Sequence, residues 1–157
     1  MLFRSLVTLD LSIHDIDFAQ YVFGAPKSLS AVYKDFENNN NYVSTNMLYD
    51  GFSVETVGGW YNADIPFHAE YLAVFENGYV ESRGGKIIKN GQEITVEAGA
   101  ASEDTGINLS GADGYSDEIT YFMDCIKNNR KPTKVSPESS LKSVQLVEEI
   151  LKKAARV

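Results

Sequence analysis

Three turn dipeptides divide the middle of the chain and constrain its fold more than any other feature. Asp50-Gly51, Asn77-Gly78 and Asn90-Gly91 each stand between two short segments rich in residues that favour strands. Asn-Gly and Asp-Gly pairs tolerate the positive φ angles that a tight β-hairpin requires at its two turn residues. The pattern therefore predicts three antiparallel hairpins between residues 42 and 97.

Helical periodicity brackets this strand-rich region on both sides. Residues 5–23 are predicted to form one helix, which Gly24-Ala25-Pro26 ends, and residues 28–36 add a strand. Near the C-terminus one helix has an apolar stripe from Ile119 to Ile126. A second helix begins with Ser136 as N-cap and Pro137 at its first position, and its predicted buried stripe runs from Leu141 to Ala154. The segment 98–110 between strands and helices is small, acidic and glycine-containing, which predicts a mobile surface loop.

The order of these elements predicts the fold class and the domain count. We expect an α+β fold, an open and mostly antiparallel sheet of about six strands with helices packed on one face. The 157 residues, of which 43% are hydrophobic, suffice for one domain with a real core. Residues 1–157 are accordingly interpreted as a single domain.

Charge and apolar patterning narrow the partners and the compartment. Lysine and arginine number 14 against 22 acids, and the net charge of −8 disfavours nucleic acid and anionic membranes as partners. No apolar stretch reaches the length of a membrane span, and no secretory signal is recognised, so we expect a cytoplasmic protein. The lone Cys125 is expected to pack as a small hydrophobic residue.

Asp10 and His14 form the densest cluster of reactive groups. Their separation of four residues places them one helical turn apart, away from the apolar stripe of that helix. Such a histidine can act as a general base, with the carboxylate orienting the ring or holding a substrate hydroxyl. Spacing alone favours a plainer interpretation, a solvated helix face that carries His14 between acids. His14 and His68 belong to no metal-ligand motif, and His68 alternates with Glu70 on a predicted strand.

The predicted strand over residues 67–76 has an unusual distribution of apolar residues. Leu72 and Val74 alternate with Tyr71, Ala73 and Phe75, so both faces of the strand carry hydrophobic side chains. The helices can cover only one face of the sheet. An exposed apolar patch usually marks an interface, so we predict a homodimer that forms through the open sheet face.

Several blocks of sequence together resemble one family. Residues 9–18 (LDLSIHDIDF) followed by 22–26 (VFGAP) resemble the Asp-x-x-x-His helix of the Gfo/Idh/MocA oxidoreductases. Residues 73–78 (AVFENG), 114–122 (GYSDEITYF), 125–132 (CIKNNRKP) and 136–141 (SPESSL) match in family order. The resemblance covers nearly the whole chain and is to the C-terminal, substrate-side domain of that family.

The resemblance implies an activity and roles for three residues. It implies an NAD(P)-dependent dehydrogenase that acts on a sugar, inositol or related polyol. His14 would be the catalytic acid/base, Asp10 would bind the reacting hydroxyl or orient the base, and Tyr115 would line the substrate pocket. Asp15 and Asp17 also match the family pattern, and we interpret both as structural.

Two features of the family pattern are absent from the sequence. There is no Gly-x-Gly-x-x-Gly motif and no Glu-Lys-Pro lysine, so the family's N-terminal Rossmann domain is missing. The chain also has Ser5-Leu6 where the family usually carries a Gly-Gly pair. We therefore expect that the chain alone binds neither NAD nor NADP. A Rossmann domain, either upstream in a longer parent protein or on a separate chain, would supply the cofactor. The alternative is a non-catalytic, stand-alone binding or dimerisation module with the same fold.

Overall fold

The computed structural model describes residues 6–94, 114–134 and 136–157. The chain divides into two compact units, the first formed by Met1–Ile65 with Thr133–Val157 and the second by Pro66–Pro132. In chain order the elements are α1 (Val7–Asp10), α2 (Ser12–Phe23), β1 (Ser28–Asp35), β2 (Asn41–Leu48), β3 (Ser53–Trp60), β4 (Tyr71–Phe75), β5 (Gly78–Arg83), β6 (Lys86–Lys89), β7 (Gln92–Ile94), α3 (Gly114–Lys127), α4 (Pro137–Lys153) and β8 (Ala155–Arg156). The segment 98–110 lies outside the described residues.

The first unit is a four-stranded sheet covered by helices on one face. Its strand order is β3-β2-β1-β8, antiparallel except for β8, which pairs with β1 in parallel. Alternate residues of β1 and β2 are buried because they face α1, α2 and α4. The core consists of apolar side chains from both layers: Val7, Ile16, Ala19, Leu29, Ala31, Tyr33, Val43, Met47, Leu146, Val147 and Ile150.

The second unit contains a separate antiparallel sheet of order β4-β5-β6-β7. No residue of these four strands is buried. The apolar stripe of α3, from Ile119 to Ile126, is exposed as well. Two of the turns in this sheet are short, because two residues link β4 to β5 and two link β6 to β7.

The fold class is therefore confirmed as α+β, whereas the expectation of one sheet of about six strands is wrong. The described residues form two sheets of four strands each. Residues 61–70 between β3 and β4 form no strand, and they include Pro66, which has no N–H to donate to a ladder. The predicted strand 67–76 is accordingly shortened to Tyr71–Phe75.

The turns follow the dipeptide pattern only in part. Asn90 and Gly91 have φ values of 51° and 79°, as the predicted hairpin turn requires at both residues. At Asp50-Gly51 only Gly51 has a positive φ, of 81°. Phe75 pairs with Gly78, so the residues of that turn are Glu76 and Asn77 instead of Asn77 and Gly78.

The termini of α4 confirm one prediction and correct another. The Ser136 hydroxyl accepts a hydrogen bond from the Ser139 N–H at 3.1 Å, with Pro137 at the first helical position, as predicted. The sequence pattern extended the buried stripe of this helix to Ala154. Instead Ala154 is the C-cap, and the next two residues form β8 beside Val32 and Tyr33.

Candidate functional site

A helix break carries the two residues that the sequence singled out. The helix α1 ends at Asp10 and α2 begins at Ser12, with Leu11 between them at φ −111° and ψ −59°. The His14 N–H donates to the carbonyl of Leu11, three residues earlier, at 3.1 Å. This is the hydrogen bond of a 3₁₀ turn, whereas an α-helix would bond to the carbonyl four residues earlier. The prediction of one uninterrupted helix over residues 5–23 is therefore wrong, and Asp10 and His14 lie on opposite sides of the break.

Asp10 and His14 are both exposed, as expected of groups that a substrate must reach. Within the part of the chain that the structure describes, neither side chain takes part in a hydrogen bond or an ion pair. Their neighbours Thr8, Ser12 and Ile16 are fully buried. Asp10 and His14 therefore lie at the surface, while the residues next to them in the chain pack into the interior.

Two buried contacts hold this backbone in place. The Asn41 Oδ1 atom of β2 accepts a hydrogen bond from the Val7 N–H at 2.6 Å, so a strand side chain caps α1. The Asn41 Nδ2 atom donates to the Asn39 carbonyl at 3.0 Å. Sequence reasoning missed this cap, although an asparagine in phase with the buried residues of β2 was a visible signal.

Gly58 of β3 provides the second contact. A Cβ atom at this position would overlap the Ser12 hydroxyl and would lie 3.5 Å from Val7 Cγ2. Ser12 is the first residue of α2 and is fully buried. The start of α2 therefore rests directly on the backbone of β3.

The remaining acids of α2 have other surroundings. Asp15 is exposed as a residue, yet partial desolvation of its carboxyl raises its pKa, and the charge of His14 opposes that shift. Asp17 accepts a hydrogen bond from the Ser143 hydroxyl of α4, and the Gln20 side chain donates to the same hydroxyl at 3.1 Å. Asp17 therefore joins α2 to α4, which agrees with its interpretation as structural.

The other candidate residues belong to the second unit. Tyr115 lies in the first turn of α3 and is 73% exposed. His68 precedes β4, and its Nδ1 atom lies 3.2 Å from the Pro66 carbonyl, so its placement on a strand is wrong. Cys125 is buried and makes no disulfide, as predicted. Among the described residues no three potential ligands cluster to hold a metal ion.

Comparisons with known proteins identify the fold without showing a family. No family model matches the sequence, and no curated protein matches it significantly. The chain is similar in structure to a biliverdin reductase from Synechocystis sp. PCC 6803, solved in complex with biliverdin and NADP+. The TM-score is 0.66 at 14% sequence identity, over 91% of this chain and 45% of that chain. The chain thus shares its fold with a part of an oxidoreductase and spans less than half of that protein's length.

Of the described helices, none combines the length and the apolar character that a transmembrane segment needs.

Proposed function

We propose that the chain is the substrate-binding and dimerisation domain of an NAD(P)-dependent oxidoreductase that acts on a sugar, inositol or related polyol. The observation that carries the proposal is the exposed pair Asp10 and His14, which makes no structural hydrogen bonds with described residues. The fold shared with part of an NADP+-bound reductase supports it, as does the family resemblance of the blocks around both residues.

The chemistry assigned to this chain is the handling of one proton. In the complete enzyme the nicotinamide cofactor supplies the hydride acceptor for the substrate carbon. The His14 imidazole takes the proton of the reacting hydroxyl, and Asp10 holds that hydroxyl or orients the ring. An exposed imidazole satisfies the first requirement of a general base, which is access to the substrate. Tyr115 is assigned to substrate binding on the resemblance and on its exposure.

The residues of this chain do not fit the diphosphate of NAD or NADP. That group binds where a glycine-rich turn joins a strand to a helix, and the sequence contains no two glycines separated by one residue. We therefore assign the cofactor to a dinucleotide-binding domain outside these 157 residues. Calorimetry of the isolated chain with millimolar NAD or NADP should give no saturable heat, and a micromolar Kd would contradict this assignment.

Dimerisation is assigned to the second sheet because both faces of its edge strand are apolar and exposed. Leu72 and Val74 on one face are 63% and 74% exposed, and Phe75 on the other is 58% exposed. A groove of about 510 Å³ lies along this surface, lined by Leu72, Val74 and Tyr79 among others. A second copy of the chain would cover apolar area that water otherwise contacts.

The activity is tested by adding a dinucleotide-binding domain to the chain. The chain is fused to or mixed with a dinucleotide-binding domain of the same family, and reduction of NAD and NADP is followed with a panel of sugars and inositols. Polyol-dependent reduction supports the proposal. Biliverdin, the ligand of the structural neighbour, is a separate arm assayed with reduced cofactor, and turnover of biliverdin alone would overturn the polyol assignment. No turnover with any substrate would favour the non-catalytic module.

A further inference from the structure

The backbone between Asp10 and His14 is set by a contact that has no role in the proposed chemistry. These two side chains form no hydrogen bond or ion pair with described residues, so their relative placement depends on the backbone of α1, Leu11 and α2. Ser12 lies in the middle of this segment and is fully buried against Gly58. Whatever fixes Ser12 therefore fixes the path that connects the two exposed groups.

The fit between Ser12 and Gly58 is steric. The Ser12 hydroxyl is buried and has no hydrogen-bond partner among the described residues, so none of these residues holds the side chain by a hydrogen bond. Its small size is what the site accepts, because any side chain at position 58 would overlap the hydroxyl. The other atoms near that added Cβ, Val7 Cγ2 at 3.5 Å and Ser12 Cβ at 3.6 Å, are at ordinary contact distances. The overlap thus involves a single atom.

The strand cannot easily retreat from this contact. Gly58 pairs with Val43 in the β2–β3 ladder, with two further pairs on one side and five on the other, and Val43 is fully buried in the core. Two residues along β2, Asn41 binds the start of α1 through the Val7 N–H. The hydrogen bond from Val7 to Asn41 therefore lies before the helix break, and the packing of Ser12 on Gly58 lies after it. Both contacts are on the same face of the sheet.

We propose that Gly58 and Ser12 are positioning residues that set the placement of His14 relative to Asp10 across the helix break. The close approach at Gly58 fixes the start of α2, and His14 follows Ser12 by two residues. The catalytic part of this inference rests on the proposed function, whereas the geometric part does not. Displacement of a reacting group by about 1 Å can cost roughly 10²-fold in rate.

Gly58→Ala tests the contact, and Gly59→Ala is its matched control. Successive strand residues point to opposite sheet faces, so a methyl at Gly59 would overlap the exposed Tyr61 ring instead of α2. The control therefore introduces a comparable overlap on the other face of the same strand. Neither glycine has a positive φ, so alanine fits both backbones. Ser12→Ala combined with Gly58→Ala removes the overlapping atom and should restore the original fit.

The first readout is the full chain in solution and needs no catalysis. Circular dichroism establishes that each variant folds, and NMR records the His14 ring resonances and the contacts between the His14 and Asp10 side chains. We expect a changed His14 environment in Gly58→Ala, an unchanged one in Gly59→Ala, and recovery in the double variant. A folded Gly58→Ala protein with unaltered His14 signals overturns the inference. If Gly58→Ala fails to fold, a folded double variant that lacks the original His14 signals overturns it as well.

The second readout is kinetic and uses the enzyme completed with a dinucleotide-binding domain. Gly58→Ala should lower kcat about tenfold to 10²-fold with little change in KM, because the reacting groups are misplaced while the pocket persists. The double variant should regain most of the rate. If NMR shows the displacement but His14→Ala leaves the rate unchanged, the proposed function fails and the positioning of the two side chains stands. The catalytic part of the inference is overturned if Gly58→Ala displaces His14 by NMR but leaves kcat unchanged, in an enzyme whose rate does depend on His14.

Discussion

The two units use the same local signals and differ in what covers their sheets. In the first unit α1, α2 and α4 pack on one face of the sheet, and β1 and β2 alternate between buried and solvent-facing residues. In the second unit the strands pair as regularly as those of the first, yet none of their residues is buried. Apart from Cys125, every buried hydrophobic residue described belongs to the first unit. Turn and strand patterns specify pairing, whereas burial depends on which elements meet across layers.

The largest expected contrast is between the truncation of a buried side chain in the first unit and that of an exposed side chain in the second. Ile16→Ala removes a fully buried side chain and should lower the free energy of unfolding by about 2–5 kcal/mol. Val74→Ala shortens an exposed side chain and should change it by less than about 0.5 kcal/mol. Trp60 is the only tryptophan and lies in the first unit, so urea unfolding is followed by its fluorescence and by circular dichroism. An equally large loss for Val74→Ala would mean that β4 is covered in solution.

Self-association tests whether a second copy provides that cover. The chain should sediment above 17.4 kDa at tens of micromolar, and Val74→Lys should weaken the association at least about tenfold by placing a charge in the apolar surface. Val57→Lys changes an exposed valine of β3 in the first unit and is the matched control. Sedimentation of the unchanged chain only as a monomer would remove the proposed dimer.

A smaller effect is expected at the N-cap of α4, which carries core residues of the first unit. Ser136→Ala removes a hydrogen bond to the Ser139 N–H and should cost about 1 kcal/mol of stability. Ser140→Ala, one turn further into the same helix, should be neutral or slightly stabilising because alanine favours helix. Thermal unfolding that ranks the two variants in the opposite order would contradict the assigned cap.

The smallest effect concerns Asp15 and depends on pH. Desolvation raises the pKa of this carboxyl above its ordinary value of 3.8, so the folded state disfavours the charged form. The stability that the protonated group contributes is present below the ordinary pKa and is lost as pH rises through the raised one. Asp15→Asn should therefore match the unchanged chain in acid and be more stable at neutral pH, by less than about 1 kcal/mol because Asp15 is exposed. The exposed Asp64→Asn serves as control, and an advantage of Asp15→Asn confined to acid would contradict the sign.

Sequence patterns predicted the elements that depend on local chemistry. The Ser136-Pro137 start of α4, the Asn90-Gly91 turn and the Gly24 helix end each follow from the conformations available to one or two residues. The division into two sheets and the parallel strand β8 depend on partners far apart in the chain, which periodicity does not report. Ala155 and Arg156 pair with residues more than one hundred positions earlier.

The exposure of the candidate residues was predictable from the sequence, whereas the backbone geometry between them was not. The sequence pointed to Asp10 and His14 and to their exposure, because the apolar stripe left them on another face. It did not predict the break at Leu11, whose flanking residues Val7 and Ser12 contact Asn41 and Gly58 of two strands that follow in the chain. A buried asparagine cap and a glycine contact become visible only when the layers are assembled.

The most direct test of the proposed function is the rate of the completed enzyme without the His14 imidazole. The chain is joined to a dinucleotide-binding domain, and His14→Ala is compared with the unchanged protein at saturating polyol and cofactor. His68→Ala is the control, because His68 is the other histidine, is exposed and lies in the second unit. Loss of general acid–base catalysis predicts a decrease of about 10²–10⁴-fold for His14→Ala and little change for His68→Ala. A decrease of less than about threefold for His14→Ala would show that His14 is not the acid/base.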